Sequence, residues 1–143
     1  MLDRNKSYLE SFNFAFLGLS KLLETKITKS PKLVNLEVTK KCNARCDFCD
    51  YWQTQHEEKL DDYTDLIKKI NPLVVMITGG EPMMRKDIVD IIRQVKSASY
   101  FTYTGIITKG DMLNIDKAKS MYEAGIDQIA ISLDFLGDRH SEN

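Results

Sequence analysis

The stretch LVVMITGGEP, residues 73–82, consists of six apolar or β-branched residues followed at once by two glycines, a glutamate and a proline. Continuous apolar runs of this kind are typical of strands in a parallel sheet that is covered on both faces. Glycine and proline mark the loop that ends such a strand. The stretch therefore predicts a buried strand with a tight, glycine-rich loop at its carboxyl end.

On either side of this strand the sequence alternates between strand and helix patterns. Strands are predicted at 33–38, 73–78, 101–107 and 128–133, and helices at 60–70, 87–96 and 114–124. Strands and helices that alternate with short connections are typical of βα units around a parallel sheet. The predicted fold class is α/β, a parallel-sheet partial TIM-type barrel built of βα units and truncated after the fourth strand.

An amphipathic helix is predicted before the first strand, over residues 7–24. Such a helix is expected to pack its apolar stripe against the body of the fold; the alternative is contact with a membrane surface or a partner protein. The chain is accordingly divided into an N-terminal helix and linker, 1–32, and a partial core domain, 33–143. The stripe consists of Leu9, Phe12, Phe16, Leu19 and Leu23.

Distinctive residues follow each predicted strand. A cysteine-rich loop follows the first strand, Gly-Gly-Glu-Pro the second, Thr108 and Lys109 the third, and Asp134 the fourth. In parallel α/β sheets the working residues collect at the carboxyl ends of the strands. These residues are therefore expected to lie together at one edge of the sheet.

The cysteine-rich loop, CNARCDFC, contains the chain's three cysteines, Cys42, Cys46 and Cys49. Structural zinc sites and most iron–sulfur clusters use four protein ligands, so three thiolates either borrow a ligand or leave a metal position open. His56 could complete a zinc site of the Cys3His type. Cys46 and Cys49 also form a Cys-x-x-Cys pair, which occurs in dithiol redox motifs.

The spacing Cys-x3-Cys-x2-Cys, with Phe48 just before the last cysteine, resembles the signature of the radical S-adenosylmethionine (radical SAM) enzymes. The loop at 79–82 resembles the GGEP motif of that family, and Ile131–Asp134 resembles the end of its fourth strand. The resemblance extends from about Leu33 to the last residue. It implies a [4Fe–4S] cluster held by Cys42, Cys46 and Cys49, whose fourth iron is chelated by S-adenosylmethionine.

The resemblance also implies roles for residues outside the cysteines. The aromatic ring before the last cysteine lies near the adenine, and the Gly-Gly loop accepts hydrogen bonds from the methionine amino group. Glu81 orients that loop rather than acting as an acid or base, and Tyr51 and Trp52 cover the cluster. The residues implied in cofactor binding are Phe48, Gly79, Gly80, Glu81, Pro82, Lys109, Ser132 and Asp134.

The implied activity is reductive cleavage of S-adenosylmethionine to a 5′-deoxyadenosyl radical, which abstracts hydrogen from a small-molecule or peptide substrate of unknown identity. It requires a low-potential electron donor of the flavodoxin or ferredoxin type. The family's barrel usually has six βα units, so the chain is expected to be a fragment, or else to be completed by another chain. The alternative function is a zinc- or iron–sulfur-binding structural or interaction module without turnover.

Composition restricts the kinds of partner and the cellular compartment that we expect for this chain. The chain of 143 residues has 20 Lys and Arg against 21 Asp and Glu, a net charge of −1 that gives no support for nucleic-acid binding. No apolar run approaches the roughly 18–20 residues that span a bilayer, and no signal peptide is predicted. Three crowded cysteines make a poor disulfide framework. We therefore expect a cytoplasmic protein in a reducing environment.

Overall fold

The computed structural model describes residues 4–53 and 59–133. Within these residues helices and strands alternate after a long first helix. The helices are α1 (Arg4–Thr28), α2 (Thr64–Ile70), α3 (Ile88–Ser97) and α4 (Ile115–Glu123), and the strands are β1 (Leu33–Glu37), β2 (Val74–Thr78), β3 (Tyr103–Thr108) and β4 (Gln128–Ile131). Single turns of 3-10 helix occur at Tyr51–Gln53 and Pro82–Met84.

The four strands form one parallel sheet in the order β1-β2-β3-β4. Consecutive strands are therefore neighbours, and each crossover from β2 onward carries one helix. In β1 and β2, Leu33 pairs with Val74 and Glu37 with Thr78, so the carboxyl ends of the two strands are level. The predicted α/β class and the parallel βα arrangement are confirmed.

The core lies between β2 and the helices that cover one face of the sheet. Val75 and Ile77 are fully buried and belong to one apolar cluster with the inner face of α3. Its members on α3 are those that helical periodicity predicts: Ile88, Ile91, Ile92 and Val95, all fully buried.

The other face of β2 is less covered than the sequence predicts. Val74, Met76 and Thr78 are half-buried, so burial alternates along a strand that is apolar throughout. A side chain on Gly105, the partner of Met76 in β3, would lie 2.6 Å from the Met76 sulfur. Glycine there leaves room for the methionine to lie across the sheet on its more open face.

Helix α2 begins at Thr64, four residues later than the sequence predicts. Two side chains account for the difference, because they take the N–H groups that a longer helix would use. The Thr64 N–H donates to Asp62 Oδ1 (2.7 Å), and the Tyr63 N–H donates to Gln94 Oε1 on α3 (3.1 Å). Polar side chains that bond nearby backbone in this way compete with helix formation.

The apolar stripe of α1 does not pack against the body of the fold, so the sequence-based orientation of this helix is wrong. Phe12 is 68% exposed and Phe16 60%, and Leu19 and Leu23 are also exposed. No helix among the described residues is long and apolar enough to cross a membrane.

A mixed polar and aromatic face of α1 contacts the sheet instead. Phe14 packs edge-on against Phe101, with ring centroids 5.2 Å apart, and Gly18 lets the helix approach the same ring. Lys21 is completely buried and donates to Asn71 Oδ1 and to Ser99 Oγ. These partners precede β2 and β3, so α1 lies at the amino ends of the strands, opposite the cysteine loop.

We expect Phe14→Ala to lower the free energy of unfolding by about 1–3 kcal/mol, because it removes an aromatic contact and partly buried apolar area. Phe16→Ala is the matched control and should change stability by no more than about 0.5 kcal/mol. Denaturant unfolding measures both. A larger loss for Phe16→Ala would show that the apolar stripe, and not the observed face, packs inward.

Candidate active site at the carboxyl ends of the strands

A cleft of about 270 Å³ opens at the carboxyl ends of the strands. It is bounded by the three cysteines, by the loop after β2, by the end of β3 and by the residue that follows β4. All four strand ends therefore contribute to one cavity, as the alternating sequence pattern predicts. Its lining includes Cys42, Cys46, Phe48, Cys49, Tyr51, Gly79, Gly80, Glu81, Thr108, Lys109 and Ser132.

The cysteine loop places its three thiols around this cleft. All three are half-buried and none forms a disulfide. The Cys49 N–H donates to the Cys46 carbonyl (3.1 Å), which closes a tight turn, and the Ala44 N–H lies 3.4 Å from Cys42 Sγ. The loop is thus folded back on itself, and all three of its cysteines line the cavity.

The loop after β2 is joined to the cysteine loop by backbone hydrogen bonds that continue the β1–β2 pairing past the ends of both strands. The Val38 N–H donates to the Thr78 carbonyl (3.0 Å). The Gly80 N–H then donates to Thr39, and the Glu81 N–H donates to Lys41, at 2.9 and 2.8 Å. The last of these bonds ends one residue before Cys42, so the ladder places the first cysteine.

The two glycines are required by this close approach of backbone to backbone. A Cβ on Gly79 would lie 2.2 Å from the Thr39 carbonyl oxygen, and one on Gly80 would lie 2.3 Å from the Lys41 carbonyl oxygen. Gly79 also has φ +148°, which residues with a side chain rarely adopt. The chain's own cysteine loop therefore requires glycine at both positions, apart from any requirement set by a cofactor.

Glu81 joins the loop after β2 to the end of β3. Its side chain is only 1% exposed, and it accepts hydrogen bonds from the Met83 N–H (2.9 Å), the Thr108 hydroxyl (2.7 Å) and the Lys109 N–H (2.8 Å). Three donors satisfy a carboxylate that burial would otherwise penalise. The side chain is thereby engaged in holding two loops together, which agrees with an orienting role.

Arg85 makes a second connection between the same loop and β1. The guanidinium is buried, donates to the Val38 carbonyl (2.9 Å) and binds the Asp87 carboxylate through Nε (2.7 Å) and Nη2 (2.5 Å). These hydrogen bonds from Arg85 are the main cause that lowers the pKa of Asp87. The planar guanidinium thus spans from an exposed carboxylate to the strand that leads into the cysteine loop.

Aromatic side chains lie along the outer part of the cysteine loop. The Trp52 indole N–H donates to the Cys49 carbonyl (3.0 Å), and its ring lies 5.6 Å from the Arg45 guanidinium carbon. The Tyr51 hydroxyl donates to Glu37, an interaction that raises the pKa of the tyrosine to about 12 and keeps it neutral. Phe48 lines the cleft but remains largely exposed.

Most of the residues singled out in the sequence meet at this cleft. Lys109 and Ser132 line it, and the Ser132 N–H donates to the Thr108 carbonyl (2.9 Å), which extends the β3–β4 pairing. Pro82 is buried at the start of the 3-10 turn behind the loop. Asp134 and His56 lie outside the described residues.

Other residues of the site carry no signal that the sequence pattern could show. Arg85 acts through a hydrogen bond to the Val38 carbonyl, which is distant in the chain. The Asn43 amide, within the cysteine loop, donates to Asp111 in the turn after β3 (2.5 Å). Such contacts become visible only once the loops after β1, β2 and β3 are brought to the same edge of the sheet.

The donor set at the cleft fits a cluster with one open position. Three thiolates and no further cysteine are available in the chain, and soft sulfur ligands select iron–sulfur clusters, zinc or copper(I). In residues 4–53 and 59–133, no three Cys, His, Asp or Glu side chains are grouped closely enough to hold a metal ion as they stand. A cubane cluster takes its thiolates on separate irons, which suits three cysteines that line one cavity.

Fold and site together define a class: α/β proteins of parallel βα units that carry a three-cysteine motif after the first strand and a Gly-Gly-Glu-Pro loop after the second. A family model described as the Radical SAM superfamily matches residues 36–143. The chain belongs to this superfamily, whose enzymes use a [4Fe–4S] cluster and S-adenosylmethionine.

Curated relatives agree with this assignment. GTP 3′,8-cyclase of Limosilactobacillus fermentum is 37% identical over 110 residues, covering 71% of this chain and 33% of that enzyme. GTP 3′,8-cyclase of Lactiplantibacillus plantarum is 35% identical over 119 residues, covering 76% of this chain and 36% of that enzyme. The chain thus spans about a third of the length of these relatives.

A solved structure agrees at the level of the fold. SuiB of Streptococcus suis, in a crystal structure bound to S-adenosylmethionine, superimposes with a TM-score of 0.64 at 17% sequence identity. The match covers 97% of this chain and 33% of SuiB. The four-stranded architecture described above is therefore shared with part of SuiB.

We expect Gly80→Ala to lower the melting temperature of the metal-free protein and to reduce iron uptake. The added methyl group would displace the Lys41 backbone, and with it Cys42. The matched control is Gly18→Ala on α1, where the nearest atom is the end of the Phe101 ring at 3.2 Å. Thermal unfolding and iron analysis would contradict this account if both variants behaved alike.

We expect Asp87→Asn to destabilise the protein at neutral pH and to lose this effect in acid. The pKa of Asp87 is lowered in the folded state, so its ionised form stabilises the fold above the unfolded value of about 3.9. That contribution disappears as the pH falls through the lower, folded pKa. Urea unfolding of both proteins between pH 7 and pH 3 should show the difference shrinking.

Asp90→Asn is the control for this experiment, because Asp90 forms an exposed ion pair with Arg93 on α3 (2.6 Å). Exposed pairs contribute at most about 1 kcal/mol, so the Asp90 variant should be the milder of the two at pH 7. If Asp87→Asn were no less stable at pH 7 than Asp90→Asn, the bridging role of Arg85 would be contradicted.

Proposed function

We propose that the chain is the cluster- and cofactor-binding part of a radical SAM enzyme. The observation that carries the proposal is one cleft, at the carboxyl ends of four parallel strands, that is lined by three cysteines and a Gly-Gly loop. Family membership supports the same chemistry. A [4Fe–4S] cluster bound with S-adenosylmethionine supplies one-electron cleavage of a C–S bond and so a 5′-deoxyadenosyl radical.

Cys42, Cys46 and Cys49 would each hold one iron of the cluster. The backbone ladder from Val38 to Glu81 supports this assignment, because it holds the start of the cysteine loop beside the Gly-Gly loop. A loop positioned by backbone hydrogen bonds loses less conformational entropy when it binds a ligand. The protein's contribution is thus to hold three thiolates and one open iron position in a defined orientation.

The loop after β2 would receive the methionine end of S-adenosylmethionine. The N–H groups of Gly80 and Glu81 are engaged by the cysteine loop, so this loop would offer carbonyl oxygens to the amino group. Lys109 and Ser132, both on the cleft, are proposed contacts for the carboxylate or the ribose, and Asp134 is proposed for the same task. Phe48 is proposed to stack near the adenine.

The substrate and the electron donor belong to the whole enzyme. The relatives named above are GTP cyclases, so GTP is the first substrate to test on the longest available form of the protein. A small acidic donor of the flavodoxin or ferredoxin type is proposed to reduce the cluster. Both the donor and the oxygen-sensitive cluster suit a reducing, cytoplasmic compartment.

The test is anaerobic reconstitution of the full 143-residue chain with iron and sulfide, followed by reduction with dithionite and EPR spectroscopy. We expect the iron and sulfide content of one [4Fe–4S] cluster per chain. Its EPR signal should change when S-adenosylmethionine is added, because the cofactor binds the open iron. Cys42→Ala, Cys46→Ala or Cys49→Ala should each abolish cluster uptake.

His56→Ala is the control that separates the cluster from a zinc module. We expect normal cluster uptake in this variant, since no fourth protein ligand is required. A colourless protein that binds one zinc ion, and loses it with His56→Ala, would refute the proposal. A cluster whose EPR signal does not change when S-adenosylmethionine is added would favour the alternative function, an iron–sulfur module without turnover.

A further inference from the structure

One side-chain contact ties the cysteine loop to a third loop of the site. Asn43, the residue after Cys42, donates a hydrogen bond from its Nδ2 to Asp111 Oδ2, at 2.5 Å across 68 residues of sequence. Asp111 lies in the turn that follows β3. The ladder to the Gly-Gly loop ends at Lys41, so this contact begins where the backbone pairing stops.

Asp111 lies in a turn that hydrogen bonds connect to the buried Glu81. The Thr108 hydroxyl donates to the buried Glu81 carboxylate and accepts the Gly110 N–H at 3.0 Å. The Leu113 N–H then donates to the Gly110 carbonyl at 3.1 Å, which closes the turn around residue 111. A chain of hydrogen bonds therefore leads from the core of the site to the carboxylate that Asn43 contacts.

We propose that Asp111 is a positioning residue for the cysteine loop, which it orients through Asn43 so that Cys42 is held ready for cluster assembly. The proposal rests on the proposed cluster binding at the three cysteines. An ionised acceptor strengthens the hydrogen bond, and the bond restrains the one part of the loop that neither the β1–β2 ladder nor the Cys46–Cys49 turn reaches. Asp111 acts on the loop and not on the cofactor.

The experiment exchanges the donor and the acceptor. Asn43→Asp alone sets two carboxylates against each other and should loosen the loop. Asp111→Asn alone retains an acceptor and should be mild. The double variant, Asn43→Asp with Asp111→Asn, restores a hydrogen bond with its direction reversed, so it should recover what Asn43→Asp loses. Glu123→Ala, which removes an exposed carboxylate from α4, is the control.

Two measurements are made on each variant of the full chain. In the metal-free protein, amide hydrogen exchange of residues 42–49 reports the order of the loop. In the reconstituted protein, the rate of iron loss to a chelator reports how firmly the cluster is held. For Asn43→Asp we expect both rates to rise about three- to tenfold, the effect of losing one hydrogen bond of ordinary strength, and to return towards the original values in the double variant.

The outcomes separate this proposal from the proposed function. Equal exchange in all variants, or an Asn43→Asp defect that the second substitution leaves unchanged, would overturn the positioning role of Asp111, whatever the cluster does. The unsubstituted chain could take up no cluster while amide exchange still rises in Asn43→Asp and recovers in the double variant. That result would support the contact between Asn43 and Asp111 and refute the proposed cluster binding.

Discussion

Backbone pairing between β1 and β2, carried past the ends of both strands, is the interaction on which the rest of the site depends. The bonds from Val38 to Thr78, Gly80 to Thr39 and Glu81 to Lys41 bring the cysteine loop and the Gly-Gly loop to hydrogen-bonding distance. Only residues without a Cβ can occupy positions 79 and 80 at that separation. The Gly-Gly pair is therefore required by the packing of the chain's own loops, and the proposed cofactor-binding geometry follows from that packing.

The polar residues around the cleft fall into two sets, those that hydrogen-bond other parts of the protein and those that line the cavity. Glu81 and Arg85 face inward, are almost fully buried and use their hydrogen-bonding capacity on the protein itself. They join the exits of β1, β2 and β3 into one unit. Lys109, Ser132 and the three cysteines line the cavity itself. An inner layer of hydrogen bonds of this kind would fix the orientation of groups bound in the cavity.

The local patterns predicted the elements well where one apolar face decides the structure. In α3 the residues that helical periodicity places on one apolar face are also the buried residues. The predicted orientation of α1 was wrong, because the amino ends of the strands present Asn71, Ser99 and Phe101 to the helix. The buried Lys21 hydrogen-bonds Asn71 and Ser99, which the apolar stripe could not do. Helical periodicity reports which face is apolar, and the partner surface decides which face is used.

The sequence by itself determined the strand order along the chain, the three-thiolate donor set and the motif that identifies the family, because these depend on residue type and spacing alone. Only the tertiary structure decided which backbone the glycines approach, that Glu81 holds the end of β3, and that Asn43 meets Asp111. The physical reason is common to all three. Each contact joins loops that are far apart in the chain, and parallel strands with level ends bring those loops to one edge of the sheet.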